Sequence, residues 1–210
     1  MSDTSTVPTI GVPVVVDWEL TDTSDGLDSY QLQVRFGDGD WTALGLTSDT
    51  SSTSRRTVPV GTSFRFRVRA IDRSGRTGDW ASTRDLRASA VSDTSTAIDW
   101  TGSWAIATHA SYLGDRVHWT NIRGSTASIS FSGSSMAWFG PLGSTRGKSR
   151  VYVDGQLVAT VDQYSAAFHA REMVYAGNYD TDDHTVRVEA LGTSGRPTVA
   201  IDGMYVLGPG

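Results

Sequence analysis

Cysteine is absent from the 210 residues, and with it go disulfides, thiolate metal sites and thiol nucleophiles. Lysine is almost absent as well: 17 of the 18 cations are arginine, and Lys148 is the exception. GC-rich codon usage accounts for such a bias, as does guanidinium stacking on aromatic faces, a role lysine fills less well. There is no excess of positive charge. The net charge of −5 and a pI near 5.2 exclude the broad basic footprint that a phosphate backbone requires, so nucleic acid is not an expected partner. No apolar run approaches the roughly 18 residues of a membrane span. The opening MSDTSTVPTIG lacks the charged and apolar regions of a signal peptide. The chain therefore works where it is made, or derives from a longer secreted polypeptide whose export signal lies upstream.

What is present is aromatic and β-forming. Seven Trp, seven Tyr and six Phe accompany abundant Gly, Ser and Thr, the mix of short strands joined by polar turns, so the expected class is all-β. Ser-Asp-Thr-Ser-Thr occurs at residues 2–6 and again at 92–96. The spacing is that of one small β-sandwich, and it predicts a domain over residues 1–90, a boundary near 94 within a linker at 88–97, and a second domain over 97–210.

In the first part Val12, Val14, Val16 and Trp18 alternate, as do Tyr30, Leu32, Val34 and Phe36, the period of half-buried strands. Gly37 to Asp40 gives a tight turn, after which Trp41 opens the returning strand. Over 63–71 Phe64, Phe66, Val68 and Ala70 share one face while Arg65, Arg67 and Arg69 share the other. The ordered pattern PVVVDW, DSYQLQVR, GDGDW and VPVGTSFRFRVRAIDRSGRTGDW resembles a fibronectin type III domain of the bacterial extracellular kind over residues 7–86. The resemblance implies a sandwich of about seven strands serving as a spacer or adhesive module. The in-line arginines followed by Trp80 also resemble the Arg and Trp ladder of cytokine-receptor modules, which implies Arg67 and Arg69 on the exposed face with Trp80 stacked beside them.

The second part is denser in aromatics. Ala127 to Ser132 alternates strictly, Asp154-Gly155 separates two apolar stretches as a hairpin turn, and Thr198 to Val206 closes the chain. Eight or nine strands in about 110 residues suit a jelly roll. Trp-Thr-Gly-Ser-Trp, Phe-Ser-Gly-Ser-Ser-Met-Ala-Trp, Gly-Ser-Thr-Arg-Gly-Lys-Ser-Arg-Val-Tyr-Val-Asp-Gly, the His-Thr-Val-Arg-Val strand and Gly-Thr-Ser-Gly-Arg-Pro with Ile-Asp-Gly after it are found at residues 97–207. This region resembles a galactose-binding-like jelly roll, of the kind found at the C-termini of secreted proteins of high-GC Gram-positive bacteria. The fold implied is shared by many carbohydrate-binding modules.

Catalytic patterns are thin. Gly143-Ser144-Thr145-Arg146-Gly147 puts Thr where a nucleophile elbow needs its nucleophile and leads into a strand. His109, His118, His169 and His184 show no metal-ligand spacing. Sugars instead pack their C–H faces on aromatic rings while polar side chains fix their hydroxyls. The expected ligand-binding residues are therefore Trp104, His109, Tyr112, Arg146, Lys148, Tyr164, His169, Arg171 and Tyr179, on two loop groups of the second domain. Asp180, Asp182 and Asp183, in a loop at 178–183, offer the oxygen ligands of a structural Ca²⁺. The reading is a non-catalytic module pair, secreted or at the cell surface, that attaches its parent protein to a polysaccharide or cell-wall glycan. Its rivals are a structural or protein-contact role in a surface array or phage tail, with other protein modules as partners, and an esterase built on a jelly roll.

Overall fold

A computed structural model describes residues 11–20 and 26–210. The first Ser-Asp-Thr-Ser-Thr copy and the opening residues of the fibronectin-like pattern lie outside them. The class is all-β: sixteen strands and one short 3-10 turn at Leu113–Asp115 make up the regular structure of the described residues. They divide into two compact units, one ending at Ala88 and taking in Pro209–Gly210, the other Ser89–Gly208.

The first unit contains β1 (Gly11–Asp17), β2 (Leu27–Phe36), β3 (Thr42–Leu44), β4 (Thr53–Pro59), β5 (Ser63–Asp72), β6 (Ala81–Ser82) and the start of β7 (Leu86–Ser92). β1 pairs antiparallel with β4, while β3, β2 and β5 run in that order, with β6 and the first residues of β7 on β5. The alternation of the sequence becomes the inner face: Val12, Leu32, Val34, Val58, Phe64 and Phe66 are buried.

On the other face of β2 and β5 the arginines build a ladder. The Arg67 guanidinium lies 4.1 Å from the Trp41 ring and 4.3 Å from the Trp80 ring, with Arg69 4.5 Å from Trp80 and Arg35 5.3 Å from Trp41. Gln33 and Gln31, directly across the strand pair, accept from Arg67 at 2.6–2.8 Å and from Arg69 at 2.8 Å. The cross-strand glutamines hold each guanidinium flat, so it can face an indole on either side. Trp41 and the two glutamines complete what the sequence showed only as Arg67, Arg69 and Trp80. Trp80→Ala removes two of these stacks and should lower the stability of this unit by about 1–3 kcal/mol in urea unfolding. An unchanged midpoint would mean the stack is decorative.

The second unit begins inside the segment expected to be a linker. Residues 88–92 belong to β7, and Asp93 is buried with its carboxylate 2.8 Å from His118 Nδ1, so within the expected linker only the turns at 94–97 are open chain. The unit's strands are β8 (Ile98–Thr101), β9 (Ala105–Thr108), β10 (Arg116–Thr120), β11 (Thr126–Leu142), β12 (Lys148–Val153), β13 (Gln156–Asp162), β14 (His169–Ala190), β15 (Val199–Ile201) and β16 (Gly203–Pro209). One sheet runs β13-β12-β14-β11-β16, with β8 also on β11, and a second runs β15-β10-β9. Ile98, Ile129, Met136, Trp138, Val151, Val186, Val188, Ile201 and Met204 form the core. Met136 and Trp138 face inward, while Phe139 on the opposite side meets Tyr205 edge-to-face at 4.9 Å. The hairpin turn is as the sequence has it, with Asp154 at φ 51° and Gly155 at φ 79° between β12 and β13.

Three positions interrupt the β11–β14 ladder; one lies at Trp138–Phe139, and the other two bear on the expected loop and on the site. Opposite Gly133–Ser135, β14 skips from Asp182 to Asn178, and opposite Gly140–Leu142 it skips from Glu172 to His169. The expected loop at 178–183 is therefore part of a bulged strand, because the inward alternation of Val186 and Val188 keeps the pairing in phase through it. The other bulge places Arg171 at φ 57°, and the candidate site lies there.

Candidate functional site

The site is assembled from three connections that β10, β11 and β14 bring to one end of the second unit. The 109–115 turn is closed by Tyr112 N donating to His109 O at 2.9 Å, and Gly114 and Asp115 both have positive φ. The Tyr112 ring is buried. The rings of His109, Tyr112 and Phe168 form a mutual cluster with centroids 5.7, 5.8 and 6.1 Å apart. Phe168 is 51% exposed, so this ring offers an open face while the other two fix its position.

Two guanidiniums converge on the same turn. Arg171 Nη2 donates to the Tyr112 carbonyl at 2.8 Å, a reach made possible by the left-handed backbone at Arg171. A non-glycine residue there costs about 1–3 kcal/mol and recurs at functional sites. Arg171→Gly should therefore leave the melting temperature within a few degrees, whereas β-branched Arg171→Val should lower it clearly. Equal melting of the two would contradict the strained geometry. Arg146, half-buried on the turn after β11, is pushed down from its ordinary value by burial, with the Tyr112 hydroxyl beside it favouring the charge. It remains a cation in neutral water. Among the described residues neither Arg146 nor Arg171 forms an ion pair with a carboxylate.

Beneath the turn lies Asp202, fully buried, whose Oδ1 accepts from Leu113 N at 2.8 Å while Oδ2 has no partner. Burial raises its pKa to about 6, opposed by the Leu113 N–H, reinforced by Asp93 and opposed again by Arg171. On the other flank, Arg196 makes a two-pronged pair with Asp162 at 2.5 and 2.9 Å, donates to the Arg146 carbonyl at 2.9 Å, and stands 5.0 Å from the Tyr164 ring. Tyr164 is 52% exposed, and its backbone bridges Gly143 at the start of the Arg146 turn. Lys148, exposed at the start of β12, pairs with Asp162 across the hairpin.

Of the expected ligand-binding residues, His109, Arg146, Tyr164, Lys148 and Arg171 thus lie on this surface with Tyr112 as its buried support, and His169 begins β14 opposite Leu142. Trp104 is elsewhere: its indole N–H donates to the Thr101 and Thr126 carbonyls at 3.2 and 3.1 Å, and the ring packs on Trp100 and the core. Tyr179 is also elsewhere, hydrogen-bonded to the Tyr175 hydroxyl at 2.8 Å and packed near Phe131 and His184. Burial and the Tyr175 hydroxyl raise the Tyr179 pKa. These rings are structural because an indole or phenol facing a sheet interior finds backbone or phenol partners and gives up its open face.

The three aspartates do not converge. Asp180, Asp182 and Asp183 are exposed along β14, Asp182 Oδ1 accepts from Asp183 N, and the Asp180 carbonyl receives His184 Nε2 at 2.8 Å. The other imidazole nitrogen of His184 meets Asp154 at 2.8 Å. The Asp180 carbonyl first and Asp154 second raise the His184 pKa. Among the described residues no group of three His, Asp or Glu side chains is placed to hold a metal ion, so the geometry does not support the calcium expectation at these positions.

Sequence reasoning missed Phe168, Asp202 and Gln163. Phe168 is an apolar ring in a polar connection; Asp202 follows three buried residues of a closing strand. Gln163 continues the inward alternation of Ala159 and Val161, and a polar side chain at an inward position needs a full set of partners.

No protein-family model matches the chain. It is 29% identical over 104 residues, half of this chain, to a Flavonifractor plautii protein named A type blood alpha-D-galactosamine galactosaminidase, of which it covers 10%. It is 28% identical over 98 residues, 47% of this chain, to the A type blood N-acetyl-alpha-D-galactosamine deacetylase of the same organism, of which it covers 13%. The chain thus spans about a tenth of the length of these curated relatives. Among solved structures, a family 35 carbohydrate binding module from an environmental isolate matches 58% of this chain and 96% of its own with TM-score 0.44 and 16% identity. The CBM36-1 domain of a multidomain xylanase from the hindgut metagenome of Trinervitermes trinervoides matches 59% and 98% with TM-score 0.43 and 12% identity.

Proposed function

We propose that the second unit is a non-catalytic glycan-binding module, a galactose-binding-like jelly roll, that attaches its parent polypeptide to a polysaccharide or cell-wall glycan outside the cell. The first unit is its fibronectin-like spacer. The observation that carries this reading is the exposed Phe168 ring, held by His109 and Tyr112, on the turn where Arg171 donates to the Tyr112 carbonyl and Arg146 stands beside the Tyr112 hydroxyl. An apolar ring face for C–H groups and fixed donors for hydroxyls is the recognition chemistry of a sugar. The names of the two Flavonifractor relatives, both acting on amino-sugar glycans, agree with a module that serves glycan-directed enzymes.

The non-catalytic part of the proposal draws support from the histidines. Both ring nitrogens of His184 are occupied, and His118 is stacked 4.4 Å from Trp100 with its Nδ1 on buried Asp93. Neither is presented to a serine hydroxyl as a general base.

The test is retention on a panel of insoluble polysaccharides together with a soluble glycan array. Phe168→Ala should weaken binding at least about tenfold, with the far-UV spectrum unchanged, while Trp80→Ala in the first unit should leave it intact. Binding that survives Phe168→Ala and falls with changes in the first unit would move the function there.

A further inference from the structure

We infer that the glycan taken at this site is acidic, and that Arg146 receives its carboxylate or sulfate. The inference rests on the glycan-binding reading and adds the charge of the ligand. A guanidinium partly withdrawn from water with a hydroxyl and no anion beside it recovers only part of its lost hydration, and a ligand anion would supply the rest.

The charges around the site sort into paired and unpaired. Arg196 is satisfied by both oxygens of Asp162. Arg171 donates to the Tyr112 carbonyl and feels the buried Asp202 beneath it. Arg146, half-buried on its turn, has the Tyr112 hydroxyl beside it and forms no ion pair with a carboxylate among the described residues. Asp202 is fully buried, and the guanidinium that lowers its pKa is that of Arg171. The planar fork of an arginine binds a carboxylate or sulfate through two parallel N–H donors, a geometry that specifies an anion more sharply than a hydroxyl.

The position of Arg146 suits a charged sugar unit. Its turn joins Tyr164 on one side, through the Gly143 bridge, and Tyr112 with Phe168 on the other. Tyr164 and Phe168, each about half exposed, thus lie on the connection that adjoins this turn. Attraction to a polyanion cannot come from the molecule as a whole, because the chain carries a net charge of −5 and repels polyanions at long range.

The experiment is affinity electrophoresis of the full chain in gels containing polygalacturonate, its fully methyl-esterified form, a sulfated galactan, its desulfated form, or polyglutamate. The expected result is retardation by polygalacturonate or by the sulfated galactan, weakened at least tenfold in the matching neutral form; the pair that responds identifies carboxylate or sulfate. Arg146→Gln should remove the preference for the acidic form and keep the residual affinity for the neutral one, whereas Phe168→Ala should weaken both. Equal retardation by acidic and neutral forms, lost in Phe168→Ala, overturns the acidic specificity and leaves the glycan reading standing. Equal retardation by polyglutamate overturns it in favour of a general anion patch. No retardation by any glycan overturns both.

Discussion

Gln163→Leu should destabilise the second unit by about 3–5 kcal/mol. The side chain is fully buried, donates to the Pro141 and Ala200 carbonyls at 3.2 and 2.8 Å, and accepts from Ala200 N at 3.0 Å. Its own backbone donates to the Gly147 carbonyl at 3.0 Å and accepts from Gly143 N at 3.1 Å. One residue therefore ties the 143–147 turn, which carries Arg146, to β15 of the opposite sheet. Leucine fills the volume but leaves one buried N–H and two buried carbonyls without partners, each costing about 1–3 kcal/mol before relaxation. Gly140 belongs to the same arrangement, since a Cβ there would stand 2.5 Å from the Ala200 carbonyl and 2.7 Å from Gln163 Nε2. Urea unfolding followed by tryptophan fluorescence measures the effect. A loss below about 1 kcal/mol would mean that water replaces the amide.

Asp202 gives the second large effect, and its sign is set by burial. Its folded pKa is raised to about 6 from the ordinary 3.8 of an aspartate, so between these values the unfolded chain binds fewer protons than the folded one. Stability from this group is full below about pH 4 and is lost as pH rises through about 6. The span amounts to about 2–3 kcal/mol for a shift of this size. Asp202→Asn keeps an acceptor for the Leu113 N–H and cannot ionise. The variant should match the parent near pH 4 and exceed it in stability at pH 7, with thermal melts across that range as the readout. A variant less stable than the parent at pH 7 would show that the charged carboxylate, held by Arg171, stabilises the turn.

The strands were legible wherever alternation was strong. Val12 to Trp18, Phe64 to Ala70, Ala127 to Ser132 and the Asp154-Gly155 hairpin all stand as read, because period-two burial and turn chemistry are local properties. The segment 178–183 was misread because Asn, Asp and Thr carry loop propensity, and the pairing of β14 with β11 that overrides it is long-range. The two units part inside the segment 88–97, whose Ser, Thr and Asp do form turns at 93–97; what residue type did not show is that 88–92 is strand and that Asp93 is drawn inward by His118 and Arg116. Within the proposed site, residue type picked out segments that the fold brings together, since Arg171 meets the turn of His109 and Tyr112 and Tyr164 bridges the turn of Arg146. Residue type could not separate a ring with an open face from one whose N–H or O–H is spent on its own scaffold. Trp104 and Tyr179 are the second kind, and Phe168 is the first.

We place the ligand site on the 109–115, 143–146 and 164–171 segments together. Amide chemical-shift mapping of the full chain with an oligosaccharide selected from the array tests it most directly. The largest shifts should fall on those three segments, with Gly143, Phe168 and Arg171 among them, while β1 to β6 remain still. Shifts concentrated around Trp100 and Trp104, around Asp180 to His184, or on the arginine ladder of the first unit would contradict it.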